Sequence, residues 1–109
     1  MLEEVIEAVE EEEHDEVNYN SITPEEFDKM LTNKDFFLVD THIPEQEHID
    51  WTDEFIHYNE IGENLSKLPK DKNAKIVLYC RSGSMSRASA YILAEHWYTN
   101  VYDLVWWKI

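Results

Sequence analysis

A chain of 109 residues has room for one domain with a real core, and its 43% hydrophobic and 13% aromatic content excludes overall disorder. A formal net charge of -15 repels phosphate backbones and anionic lipid, which excludes nucleic acid and membrane surfaces as ready partners. A single cysteine excludes an internal disulfide and points to a reducing, cytoplasmic setting; neither a membrane-length apolar run nor a signal-peptide pattern stands at the front.

Residues 1–16 read as an acidic N-terminal extension, helical or frayed, with Leu2, Val5, Ile6 and Val9 at helical spacing among glutamates. The domain proper spans 17–109. Val17–Ile22 fits a short edge strand. Thr23-Pro24-Glu25-Glu26 is a helix start: Thr as N-cap, Pro in the first turn, acids at the positive end of the helix. Phe27, Met30 and Leu31 form its apolar face, and Asn33–Asp35 end it. Phe36-Phe37-Leu38-Val39 is a continuous apolar run ending at Asp40, as in a strand covered on both faces. Glu54–Tyr58 is a second short strand. Asn59–Leu68 reads as a helix with Ile61, Leu65 and Leu68 inward. Lys75–Tyr79 is the clearest strand, Ser86–Trp97 a helix ended by Asn100, and Val101–Val105 the last strand. This alternation predicts an α/β domain, with a central, mostly parallel sheet of about five short strands flanked by helices. Ligands in such sheets sit beyond the carboxyl ends of the strands, the edge that carries both Asp40 and Cys80.

The segment Cys80-Arg81-Ser82-Gly83-Ser84-Met85-Ser86-Arg87 joins the best strand to a helix. Gly83 and the serines permit tight curvature, so successive amides can turn inward above a helix N-terminus and form an anion site. A cysteine at the floor of that nest would be held as thiolate or persulfide anion. Arg81 and Arg87 add local positive charge to an acidic chain. The ordinary readings are a buried structural thiol for Cys80 and a solvated charge for Arg87. His42, His48 and His57 lack metal-ligand spacing, so no metal site is expected. The serines lack a Gly-x-Ser-x-Gly elbow, and the aromatics interleave with acids, which is wrong for nucleic acid.

The stretch from Lys75 through Cys80-Arg81-Ser82-Gly83-Ser84-Met85-Ser86-Arg87 to Ala90 resembles the active-site strand, loop and helix of the rhodanese family. Asn100-Val101-Tyr102-Asp103-Leu104 is similar to the family's following strand, and Phe37-Leu38-Val39-Asp40 to its strand ending in Asp. Pro44-Glu45, His48-Ile49 and Phe55-Ile56 match more loosely, and the resemblance covers residues 17 to 105. It implies a sulfurtransferase without cofactor: Cys80 takes sulfane sulfur from a donor such as thiosulfate and passes it, as a persulfide, to cyanide or a thiol. By the same resemblance Arg81 to Met85 supply amides, Ser86 caps the helix, and Asp40 is a neighbouring structural carboxylate. Phosphatases of this kind need an Arg six positions after the cysteine to grip phosphate bidentately. Ser86 stands there, and Arg87 is one place too far, which tells against phosphatase or arsenate reductase activity.

Trp51, Trp97, Trp106 and Trp107, all four tryptophans of the chain, stand where the family usually has Gly. Thr41-His42 replaces the usual Val-Arg, His57 stands where Pro is common, and Ile109 comes before the family's usual final helix. The tryptophans point to deliberate alteration or an atypical member, and to self-association through exposed aromatic surface. They favour an alternative in which the domain keeps its sheet but serves as a binding or sensing module.

Overall fold

The computed structural model describes residues 18–43, 47–80 and 84–105. The expected N-terminal extension, Pro44-Glu45, the loop residues Arg81, Ser82 and Gly83, and Trp106 and Trp107 lie outside them. Strand β1 (Asn20–Ile22) leads into helix α1 (Pro24–Leu31), then β2 (Phe37–Asp40) and β3 (Glu54–Phe55). Two 3-10 segments (Tyr58–Glu63 and Leu65–Lys67) follow, and then β4 (Ile76–Cys80), helix α2 (Ser84–Glu95) and β5 (Val101–Val105). The five strands pair in the order β1-β5-β4-β2-β3, every neighbour parallel.

The continuous apolar character of β4 follows from its central place. All its side chains are buried, and alternation sends them to opposite faces. Ile76 and Leu78 pack with Val39, Ile61, Ala90, Leu93 and Val101 beneath α2. Val77 and Tyr79 pack with Ile22, Phe27, Leu38 and Leu104 beneath α1. Each face thus buries its own apolar layer, the main driving force for the sheet.

Local chemistry fixes where α1 begins. Thr23 Oγ1 accepts from the Glu26 amide (3.2 Å), and Glu26 Oε1 accepts from the Thr23 amide (2.9 Å), a reciprocal capping box. The expected helix over 59–68 is instead two 3-10 pieces. Asn64 Nδ2 donates to the Glu60 carbonyl (2.8 Å), the acceptor that an α-helix would assign to the Asn64 amide. That amide goes to Ile61 O (3.2 Å), and the helix tightens and breaks there.

Helix α2 ends in a Schellman arrangement. The Trp97 amide donates to Ala94 O (3.0 Å) and the Tyr98 amide to Leu93 O (3.1 Å), with Tyr98 and Leu93 in the same apolar cluster. The residue at its left-handed position is Trp97, at φ 70°. Trp51, at φ 79°, is third in a turn closed by the Thr52 amide on Ile49 O (3.1 Å), a place that favours glycine. So two of the four tryptophans occupy backbone suited to glycine, and both are exposed.

Candidate active site at the carboxyl end of strand β4

Cys80 is the last residue of β4 and only 1% exposed. Strand alternation turns its side chain to the α2 face, with Ile76 and Leu78. The helix that follows starts at Ser84, and its first turn, whose amides lack intrahelical acceptors, brings the Ser86 amide over the sulfur. The Ser86 amide donates to Cys80 Sγ (3.3 Å). That donor and the positive end of α2 both favour negative charge on the sulfur.

Ser86 differs from the helix-capping residue expected of it. Helix α2 begins two residues earlier, at Ser84, so Ser86 lies within the first turn and is fully buried. Its hydroxyl donates to Oδ1 of Asp103, while its Oγ accepts from the Cys80 thiol at 3.7 Å. Asp103 lies on β5, in register with Leu78 on β4 and Ser21 on β1, and is 0% exposed. Ser21 Oγ also donates to it, at 3.5 Å to Oδ2. Burial pushes the Asp103 carboxyl above the usual carboxylate range, against the hydrogen bonds from Ser86 and Ser21 and the Arg87 charge. Asp103 was not among the residues expected at this site. Its signal was a charged residue in a short, otherwise apolar strand, two places after Val101, with which it shares a face.

Ser84 is exposed at the start of α2, Met85 is half-buried, and Arg87 is exposed and acts on Asp103 through its charge. Arg81, Ser82 and Gly83 lie outside the described residues. Asp40 reaches the same carboxyl edge, but alternation gives it the α1 face. Its Oδ2 meets His48 Nδ1 (2.6 Å) and its Oδ1 accepts from the His42 amide (3.0 Å). Beside it, burial pushes the Tyr79 phenol up to about 12, although hydrogen bonds from Thr52 and the Ile49 amide oppose the shift; the Asp40 charge adds to it. The site is thus split by the sheet, with Cys80, Ser86 and Asp103 on one face and Asp40, His48 and Tyr79 on the other. Among the described residues no three His, Cys, Asp or Glu stand together as a metal site, and no helix is long and apolar enough to cross a membrane. A cavity of about 390 Å³ lies by the opposite strand ends, lined by residues that include Lys34, Asp53 and Lys75 and none of the expected site residues.

A family model described as Rhodanese-like domain matches residues 23–106. No curated protein matches the chain. Among solved structures, a human single-domain sulfurtransferase, TSTD1, superposes with a TM-score of 0.69 at 14% identity, over 84% of this chain and 93% of that one. A rhodanese-related protein from Thermoplasma volcanium gives 0.66 at 21% identity, over 79% and 83%. A rhodanese with anions from E. coli gives 0.55 at 28% identity, over 63% and 86%. With residues 23–106 of its 109 inside the matched span, the chain belongs to the rhodanese-like domain family.

Proposed function

We propose that this chain is a sulfurtransferase that carries sulfane sulfur as a persulfide on Cys80. In the first half-reaction the Cys80 thiolate attacks the outer sulfur of thiosulfate. A new S–S bond forms, the old one breaks, and sulfite leaves with the electron pair. In the second, cyanide or a thiolate attacks the outer sulfur of the persulfide, and Cys80 leaves as thiolate. The observation that carries this reading is the Ser86 amide donating to Cys80 Sγ at 3.3 Å from the first turn of α2, in a site where the sulfur is almost wholly buried. Buried sulfur anions need such donors, because burial otherwise disfavours charge. The amides of Arg81, Ser82, Gly83, Ser84 and Met85 complete the donor set in this reading, and Arg87 and Asp40 support it from either side. Membership in the rhodanese-like family and the likeness to the human sulfurtransferase and the E. coli rhodanese support the same chemistry. The reaction needs no cofactor, and a reducing, cytoplasmic setting keeps the lone thiol available.

Residue 86 also supports sulfur over phosphate chemistry. A buried hydroxyl committed to a carboxylate stands where a phosphatase would need a guanidinium.

Thiocyanate formation from thiosulfate and cyanide tests the reading. Turnover in the wild type and none in Cys80→Ser is expected. Exposed tryptophans in left-handed backbone favour a second reading, a domain that binds or senses sulfur, and self-associates, without turnover. Persulfide that accumulates on Cys80 with no thiocyanate released would support that second reading and contradict the first.

A further inference from the structure

The Cys80 thiol, the Ser86 hydroxyl and the Asp103 carboxylate form one buried chain of hydrogen bonds with a single sense. Sγ–H donates to Ser86 Oγ at 3.7 Å, and the Ser86 hydroxyl donates to Asp103 Oδ1. We propose that Asp103 receives the Cys80 thiol proton through Ser86, which makes it a positioning residue for the nucleophile. The inference rests on the reading of Cys80 as the sulfur-carrying nucleophile and names what holds its proton.

The transfer balances within the three side chains. The S–H bond breaks and its proton goes to Ser86 Oγ, while the hydroxyl proton of Ser86 goes to Asp103 Oδ1. The products are a thiolate and a neutral carboxylic acid. One negative charge is present before and after, so no new charge enters the interior, where an unpaired ion is costly. The reversed chain is also complete: Asp103 now donates to Ser86, whose hydroxyl turns to the sulfur beside the Ser86 amide already there. When the acceptor removes the outer sulfur, the same path returns the proton to Cys80.

The surroundings of Asp103 suit a group that takes up a proton. Leu78 of β4 is its apolar neighbour in register, Ser21 of β1 donates at 3.5 Å, and Arg87 of α2 is the charge acting on it among the described residues. Tyr102 and Leu104, its neighbours on β5, take the other face by alternation. Burial favours its protonated form.

Two groups that share one proton titrate as a pair, in two macroscopic steps. The rate of Cys80 alkylation by iodoacetamide, followed by the mass of the full chain from acid to alkaline pH, reads this directly. Between the two steps the thiolate fraction is set by the sharing alone, so a pH-independent shelf is expected in the wild type. Asp103→Asn, which cannot take the proton, should give a single step. The carbon-13 signal of the Asp103 carboxyl should move in the same two steps as the reactivity. That wild-type measurement decides the matter if the variant fails to fold. The proposal is overturned if wild type and Asp103→Asn follow one single-step curve. It is equally overturned if the wild type titrates in one step at higher pH than the variant, the mark of a fixed anion, or if Asp103 titrates apart from Cys80. Alkylation needs no sulfur donor, so the shelf can be present in a chain that never transfers sulfur, or missing from one that does.

Discussion

At the residue scale, Trp97 and Trp51 carry the clearest cost in the molecule. A side chain with a Cβ in left-handed backbone crowds its own carbonyl, and glycine does not. Trp97 is 61% exposed and Trp51 68%, so neither recovers that cost through burial. Trp97→Gly should therefore raise stability by about 1 kcal/mol, as should Trp51→Gly, measured by denaturant unfolding. A loss of stability in both would mean that the indole rings make contacts outweighing the backbone strain. Asp103 makes a prediction of opposite chemical origin. Its carboxyl is pushed up in the folded chain, so the folded state holds its proton to higher pH than the unfolded state. Stability due to this group is then present at acid pH and is lost as pH rises from the ordinary carboxylate range through the raised value. Asp103→Asn should flatten that loss and raise thermal stability at neutral pH relative to acid. Asp103 was hard to find in the sequence for a physical reason. Its meeting with Ser86 depends on β5 lying beside β4 and on the register that sets Asp103 against Leu78, and neither is encoded near position 103.

At the scale of elements, the parts that local chemistry decides were legible. The Thr23 cap, the first-turn proline and the acids of α1 act within four residues of one another, and the structure has the capping box they imply. The strand runs over Phe37–Asp40 and Ile76–Cys80 were legible because burial on both faces leaves no polar alternation. The 59–68 segment was not. Its apolar spacing fits an α-helix, but the Asn64 side chain competes for the Glu60 carbonyl, and periodicity does not register such a competition. The loop before β3 depends on a side chain from another element. The Tyr79 hydroxyl accepts from the Ile49 amide and meets Thr52 Oγ1, both at 2.8 Å. Tyr79→Phe should cost about 1 kcal/mol by leaving the half-buried Ile49 amide without its acceptor. Because the folded phenol is pushed up to about 12, it remains neutral well into alkaline pH, and the cost should be constant across neutral pH in thermal melts.

For the whole molecule, the acidic charge and the anion-holding role proposed for the Cys80 site are in tension, and the fold offsets it by distance and direction. A net charge of -15 would repel thiosulfate from most of the surface, while the start of α2 turns a local positive end toward Cys80. Loading by thiosulfate should therefore quicken as salt screens the general repulsion, and a slowing with salt would mean that local attraction dominates the approach. Sedimentation velocity over a range of concentration reads the self-association expected from the exposed tryptophans; a clean monomer at high concentration would contradict it. The central claim remains that Cys80 carries sulfur, and its most direct measurement is the intact mass of the chain after exposure to thiosulfate or polysulfide. The expected result is a gain of one sulfur atom, mapped to Cys80 and removed by cyanide. An unchanged mass with every donor, in a chain whose fold is intact by circular dichroism, would contradict it.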